Sequence, residues 1–486
     1  MNRIIPICLA VLSSLAVPAR AATFNVTSLA DSGAGSLRAA IEQANGAAGA
    51  PHVVAFQPGL TGTIALASEL RITNSMTIAG PGAYLLTLDG GNATRLLRVE
   101  RTGGSPRIVV ISGLTLARGR AESGAAILGY DDDLSVIATI FSDNEATYRG
   151  GAIHFSEADL DLDSVILTNN RAPSTGQGAG GAIQFSAGTL TIARSYLAGN
   201  SANFGGAVRI SSPRARALIT DTLFQDNTAA HTGGAIDAGT MSAFRVSGSA
   251  FVGNSTGEPY GGAINYAGSN DASADGSIIE NTTFSANVTR HPAGVASALA
   301  ISGGHTILRN STFAANRVAP LSANPAPRNG ALWVASTGTT VDIVSTLFDD
   351  NTSGTAATPN DLAHESSSPS NPSIVNASDS LFRTMPGAVE INGTNQRNQF
   401  ATVAQLKPLT TTDGGGFVPV HPLARTSPAI DRGANPGTLA WDQRGTGFAR
   451  AWSDPAYRND PVNSKADIGA YEFRGDAFFH GDFEQR

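Results

Sequence analysis

The sequence predicts an all-β chain wound as a single-stranded right-handed parallel β-helix with an N-terminal helical cap. Two alternating phrases and a glycine-rich, charge-poor composition predict it. The first phrase is a large apolar residue, two others, then asparagine. It occurs at Phe141–Asn144, Leu167–Asn170, Leu197–Asn200, Phe224–Asn227, Phe251–Asn254, Phe284–Asn287, Phe313–Asn316 and Phe348–Asn351. The asparagines lie 26 to 35 residues apart, too far for a heptad and too close for independent domains. That period belongs to stacked supersecondary units, a solenoid.

Alternation makes the unit β. Seven and five positions before the large residue stand apolar pairs such as Leu134 and Val136, Leu160 and Leu162, and Val341 and Ile343. Two positions before it stands Thr139, Ser195, Thr222, Ser249, Thr282, Ser311 or Thr346, with Val165 as the exception. A period of two is a strand with one buried face. The second phrase is Gly-Gly-Ala followed by Ile or Val, beginning at Gly150, Gly180, Gly205, Gly233 and Gly261, with Gly330-Ala331-Leu332 as a worn copy. Paired glycines suit a corner of positive φ or close coil approach. Each period therefore holds at least two strands and two corners, one coil of a parallel β-helix.

Coils stacked about 4.8 Å apart bury together what one coil cannot bury alone. Equivalent side chains then form columns: an internal Phe stack, a Ser/Thr hydroxyl ladder, and an Asn ladder at a turn, where asparagine tolerates the left-handed conformation. Roughly ten to twelve such coils fit the length, with the right hand expected of parallel crossovers.

Residues 1–21 carry Arg3, an apolar run from Ile4 to Val17 and Ala19-Arg20-Ala21, the pattern of a cleaved secretory signal peptide. Residues 22–69 read as an N-terminal strand and helix cap. Ser36 is its N-cap, and Leu37, Ala40, Ile41 and Ala44 share one face. A helix there covers the open edge of the first coil. Coils are expected over 70–400, with a Ser-, Pro- and Asn-rich expanded loop at 352–378. A distinct C-terminal region follows at 401–475, and a short tail at 476–486.

Cleavage removes Cys8, the sole cysteine, so no disulfide holds the mature chain. It leaves 30 basic against 39 acidic residues, a net charge of −9, with no basic stripe of a nucleic-acid binder. No apolar stretch after the signal is long enough for a transmembrane helix. The expected state is a monomer, secreted or at the cell surface.

The alternating Gly-Gly-Ala-Ile and Phe-x-x-Asn phrases over about 120–351 resemble the repeats of chlamydial-type polymorphic outer membrane proteins. The resemblance implies a pectin-lyase-like solenoid and a surface passenger, often an adhesin; the family's C-terminal barrel has no counterpart here. The text Ser36-Leu37-Arg38-Ala39-Ala40-Ile41, with Gly35 preceding it, resembles an N-terminal element named for Cys-Ser-Leu-Arg-x-Ala-Ile. Ser427-Pro-Ala-Ile-Asp431, Asp442-Gln-Arg444-Gly and Asp467-Ile-Gly-Ala-Tyr-Glu472 resemble the choice-of-anchor Q domain of secreted bacterial proteins, interrupted by an insert at 451–464.

Three groups of residues invite functional readings. Asp431, Asp442, Arg444, Asp467 and Glu472 suit an ion-pair network closing the last coil, the plainer reading, or a cation site such as one for Ca²⁺. Asp159, Asp161 and Asp163 point outward from one strand, where a cation such as Ca²⁺ relieves like-charge repulsion; a solvated acidic strand is the plainer reading. The residue after each Gly-Gly-Ala-Ile also faces out: His154, Gln184, Arg209, Asp237 and Asn265, with Trp333 after Leu332. Stacking makes these one exterior polar column ending in an aromatic, suited to a glycan or protein ligand. Nucleophile motifs are absent. The leading expectation is a non-enzymatic adhesion or binding scaffold without cofactor. The alternatives are a polysaccharide lyase or hydrolase on the same fold, by analogy alone, and a purely structural surface component.

Overall fold

The computed structural model describes residues 21–474, apart from 50, 101–102, 105, 174–177, 269–275, 292–293, 320–328, 336–337, 354–357, 365–371, 385–390, 412–415 and 452–465. The signal peptide, the insert and the tail expected from the sequence lie wholly or almost wholly outside these residues.

Each coil holds four strands, two more than the minimum the phrases require. One coil runs through Asp133–Ile137, Ile140–Ser142, Glu145–Arg149 and Ile153–Ser156. Stacking gives four sheets, here I to IV in that order, with 14, 13, 10 and 11 strands. The described pairings between strands are parallel and link each coil to the next, except Thr352–Ser353 with Thr358–Pro359, which is antiparallel. Register is kept across coils: Phe141, Leu167, Leu197, Phe224, Phe251, Phe284, Phe313, Phe348 and Phe382 lie in line in sheet II.

The predicted columns are the core. From Phe224 to Phe382 consecutive rings stack at 4.5–5.1 Å, close to the spacing of the strands themselves. The asparagines are fully buried and donate in sequence: Asn144 Nδ2 to Asn170 Oδ1 at 2.9 Å, and so on to Asn316 Nδ2 on Asn351 Oδ1 at 2.9 Å. Each Nδ2 also donates to the carbonyl of the large apolar residue one coil back, as Asn254 does to Phe224 at 2.9 Å. The left-handed residue is not the asparagine but the one before it, such as Asp143, Asn169 and Asp226. The asparagine side chain replaces the backbone partners that this turn removes.

The hydroxyl column works through the backbone rather than from hydroxyl to hydroxyl. Ser195 Oγ donates to Ala193 O at 2.7 Å and accepts from Val165 N at 3.1 Å. Its neighbours Thr222 and Ser249 repeat the pattern.

Both reasons for paired glycines hold. Gly150, Gly180, Gly205, Gly233 and Gly261 have φ between 60° and 66°. A Cβ on the second glycine would sit 2.0 Å from a carbonyl of the next coil, as Gly151 to Gly181 O and Gly181 to Gly206 O.

At the N-terminus the helix Leu37–Gly46 connects the first two strands of sheet I, Thr23–Val26 and His52–Phe56, which pair directly with each other. Ser36 caps it by accepting from Ala39 N, and Leu37, Ala40, Ile41 and Ala44 are its buried face, as expected. The sheets thus begin at Thr23 and already run through 22–69. Residues 352–378, expected as an expanded loop, instead contribute further strands. Leu362 of Leu362–His364, and Val375 and Ala377 of Ile374–Ser378, are buried in the core columns. Their alternation survives between polar stretches, which hid it.

Residues 401–474 leave the coil pattern. Their pairings are isolated antiparallel bridges such as Leu406 with Leu423 and Gly433 with Ala466. The region folds back along the outer face of sheet II, where Ala404, Leu423, Ala429, Ile430, Ile468 and Phe473 pack against Leu347 and Leu381.

Candidate ligand-binding surface

Sheet IV brings five of the six predicted residues together. His154, Gln184, Arg209, Asp237 and Asn265 occupy consecutive positions of one outer column. Trp333 lies two coils beyond Asn265, with Ala300 between them. That intervening coil carries no Gly-Gly phrase; its only mark in the sequence is that two Phe-x-x-Asn phrases, at Phe284–Asn287 and Phe313–Asn316, fall between Gly261 and Gly330.

The column is the floor of a cleft rather than an open surface. Gln184 is 2%, Asp237 1% and Trp333 7% exposed, and His154, Arg209 and Asn265 are half-buried. Two features cause this. Residues that precede glycine corners stand alongside the floor: Tyr148, Arg149, Phe204 and His231 from sheet III strands, and Tyr260 from the bend before Gly261. Alanines at 296, 300 and 363 also close around Trp333, which meets Tyr260 at 5.3 Å.

Much of the floor is bonded to itself. Arg209 is ion-paired with Asp237, and Asn265 Nδ2 donates to Asp237 Oδ1 at 2.7 Å. Gln184 Nε2 donates to Ser211 Oγ at 2.9 Å. Ridge and floor are joined by π contacts: Arg209 lies 5.3 Å over Phe204, and Phe204 stacks on His231 at 4.9 Å. Burial, reinforced by Arg149 and Arg95, pushes the His154 imidazole down to about 4, so it is neutral at pH 7. His154 Nδ1, Gln184 Oε1 and Trp333 Nε1 are buried without a hydrogen-bond partner among the described residues.

Two of the three acidic residues, Asp159 and Asp163, are bonded within the protein, and Asp161 is exposed. Asp163 is paired with Arg194, and Asp159 accepts from Thr189 N at 2.7 Å. No group of three metal-ligating side chains occurs among the described residues.

Asp431, Asp442, Arg444, Asp467 and Glu472 do converge, but on the flank of sheet II rather than at the last coil. Arg444 is 3% and Asp442 0% exposed at the side chain, and they pair at 2.6 Å. Arg444 lies between Phe448 at 4.1 Å and Tyr471 at 4.0 Å. Glu472 N donates to Asp442 Oδ2 and Asp467 N to Glu472 Oε2, each at 2.9 Å. Asp431 N donates to Asp467 Oδ1 at 2.8 Å. Burial pushes Asp467 up to about 7. Two residues escaped the sequence reading. Arg450 is fully buried beside Glu472, and Gln443 pins the region to the coils through Thr283 at 2.6 Å and Ser249 O at 3.1 Å. Neither sits in a recurring phrase.

The architecture defines a parallel β-helix built from a repeated coil with an asparagine ladder. Residues 138–156 and 221–239, each spanning both phrases, match the Chlamydia polymorphic membrane protein repeat. A comparison with curated proteins finds no match to the chain. No helix among the described residues is long and apolar enough to cross a membrane.

Proposed function

We propose that the chain is a secreted or cell-surface β-helical scaffold that binds a surface glycan or protein without catalysis. The matched repeat, which belongs to a membrane protein family, and the β-helix both fit a surface scaffold. The observation that carries the binding reading is the cleft on sheet IV. Its rim presents Tyr148, Arg149, Phe204, His231 and Tyr260, aromatic and basic groups carried by four coils of the stack. Its floor is fixed by Arg209, Asp237 and Asn265. Aromatic and arginine side chains held in place dominate binding energy at protein surfaces, and charged floor groups that neutralise one another leave recognition to the rim.

The test is retention of beads coated with residues 22–486 on surfaces bearing cell-wall glycans or matrix proteins. Replacing Tyr148, Arg149 and Tyr260 together by alanine is expected to cut retention by about tenfold or more. Unchanged retention with intact folding would remove the cleft from the account.

A further inference from the structure

The strongest unassigned feature lies between sheet II and the folded-back C-terminal region. Two depressions of about 530 Å³ and 490 Å³ meet there and share Arg194 and Phe417. Together they form one groove, and each depression is within the size range of ordinary ligand sites. One edge is built by the corner between sheets I and II. It contributes one left-handed residue per coil: Ser164, Arg194, Asp221, Gly248 and Asn281. At the strand spacing these five coils span about 19 Å. The opposite edge is the C-terminal region, with Phe417 54% and Trp441 41% exposed.

We propose that this groove binds a neutral oligosaccharide, in a site separate from the sheet IV cleft. Three observations argue for that chemistry. Phe417 and Trp441 are among the few large apolar side chains left open to solvent, and both face the groove. The C–H faces of sugar rings pack on such aromatic surfaces, while their hydroxyl edges need planar polar partners.

Those partners are present. Asp221 lies over Gly248, where a Cβ would come within 2.3 Å of its Oδ1. Burial pushes that carboxyl up and Arg194 pulls it back. Asn281 is 5% exposed and donates from Nδ2 to Trp441 O at 2.9 Å, which ties the two edges together. Its Oδ1 is buried with no hydrogen-bond partner among the described residues, an acceptor that a ligand hydroxyl satisfies.

Both arginines along the groove are already paired, Arg194 with Asp163 and Arg444 with Asp442, and burial disfavours the charged form of the remaining carboxyl, Asp221. An acidic polymer gains little there and a basic peptide no more, so the ligand is uncharged.

The probes are neutral hexasaccharides of glucose, xylose, mannose and N-acetylglucosamine, with hexagalacturonate as the acidic counterpart. Each is titrated calorimetrically into residues 22–486. At least one neutral probe is expected to bind, Trp441→Ala to weaken it by about tenfold or more, and Phe417→Ala to act likewise. Asn281→Asp is expected to weaken it less and to make binding fall as pH rises. Thermal melts of each variant separate lost binding from lost folding. Ile108→Ala, at an exposed position that lines neither site, is expected to leave this affinity unchanged. No neutral probe bound, binding of hexagalacturonate alone, or binding indifferent to both aromatic substitutions in folded protein would each overturn the proposal.

Discussion

The coils between Asn144 and Asn351 and the region from 401 to 474 are held by opposite strategies. In the coils a few interactions recur: the ring stack, the asparagine ladder and the paired glycines. In the C-terminal region each interaction is made once, and its centre is a buried ionic network around Arg444, Asp442 and Asp467. A periodic structure spreads stability over nearest-neighbour contacts. The folded-back region depends on a handful of polar groups whose loss leaves buried charge unpaired.

The comparison is broken most severely inside the coils. Phe284 is fully buried between Phe251 and Phe313. Its replacement by alanine is expected to cost about 3–5 kcal/mol and to lower the main thermal transition. Asn254→Leu removes two hydrogen bonds given and two received, at about 1–3 kcal/mol for each group left buried and unsatisfied, partly recovered by relaxation. Both effects should appear in calorimetry of the whole chain.

Arg444→Ala strands the buried Asp442 carboxylate, at about 3–5 kcal/mol. The loss should stay local. Hydrogen exchange is expected to rise over 417–449 while the amides of the sheet II columns stay protected. Equal loss of protection in both regions would show that they fold as one unit.

The smallest effect is set by pH. Asp467 binds its proton more tightly folded, near 7, than unfolded, near 3.8. Its contribution is therefore fully present below about 4 and is lost as pH rises through about 7. His154 has the opposite sign. Its folded value near 4 lies below the unfolded 6.5, so its contribution is present above 6.5 and is lost as pH falls through about 4. Asp467→Asn should flatten the first dependence in melts of the C-terminal region and leave the NMR titration of His154 unchanged.

The same contrast explains what was legible. Leu134, Phe141, Asn144 and Gly150 announce their places because each is repeated at a fixed offset, and stacking forces equal offsets into register. The column from His154 to Asn265 was therefore readable as a line of residues. Its burial was not, because the side chains that cover it, such as Phe204 against Arg209 and Tyr260 against Trp333, belong to no recurring phrase. The network of Asp431, Asp442, Arg444, Asp467 and Glu472 was readable as a group of charges. Its position was not, since Gln443 reaches Ser249 across 194 residues through a contact made once. The groove between Arg194, Phe417 and Trp441 shares that fate: its two walls are far apart in the chain and neither repeats.

The central functional claim is binding without turnover. Its most direct test is incubation of residues 22–486 with a panel of acidic and neutral polysaccharides, with and without Ca²⁺, followed by assay for new chain ends. The account predicts retention of polymer with no new ends under either condition. New ends formed at the purified protein, and abolished by a substitution on this chain, would contradict it.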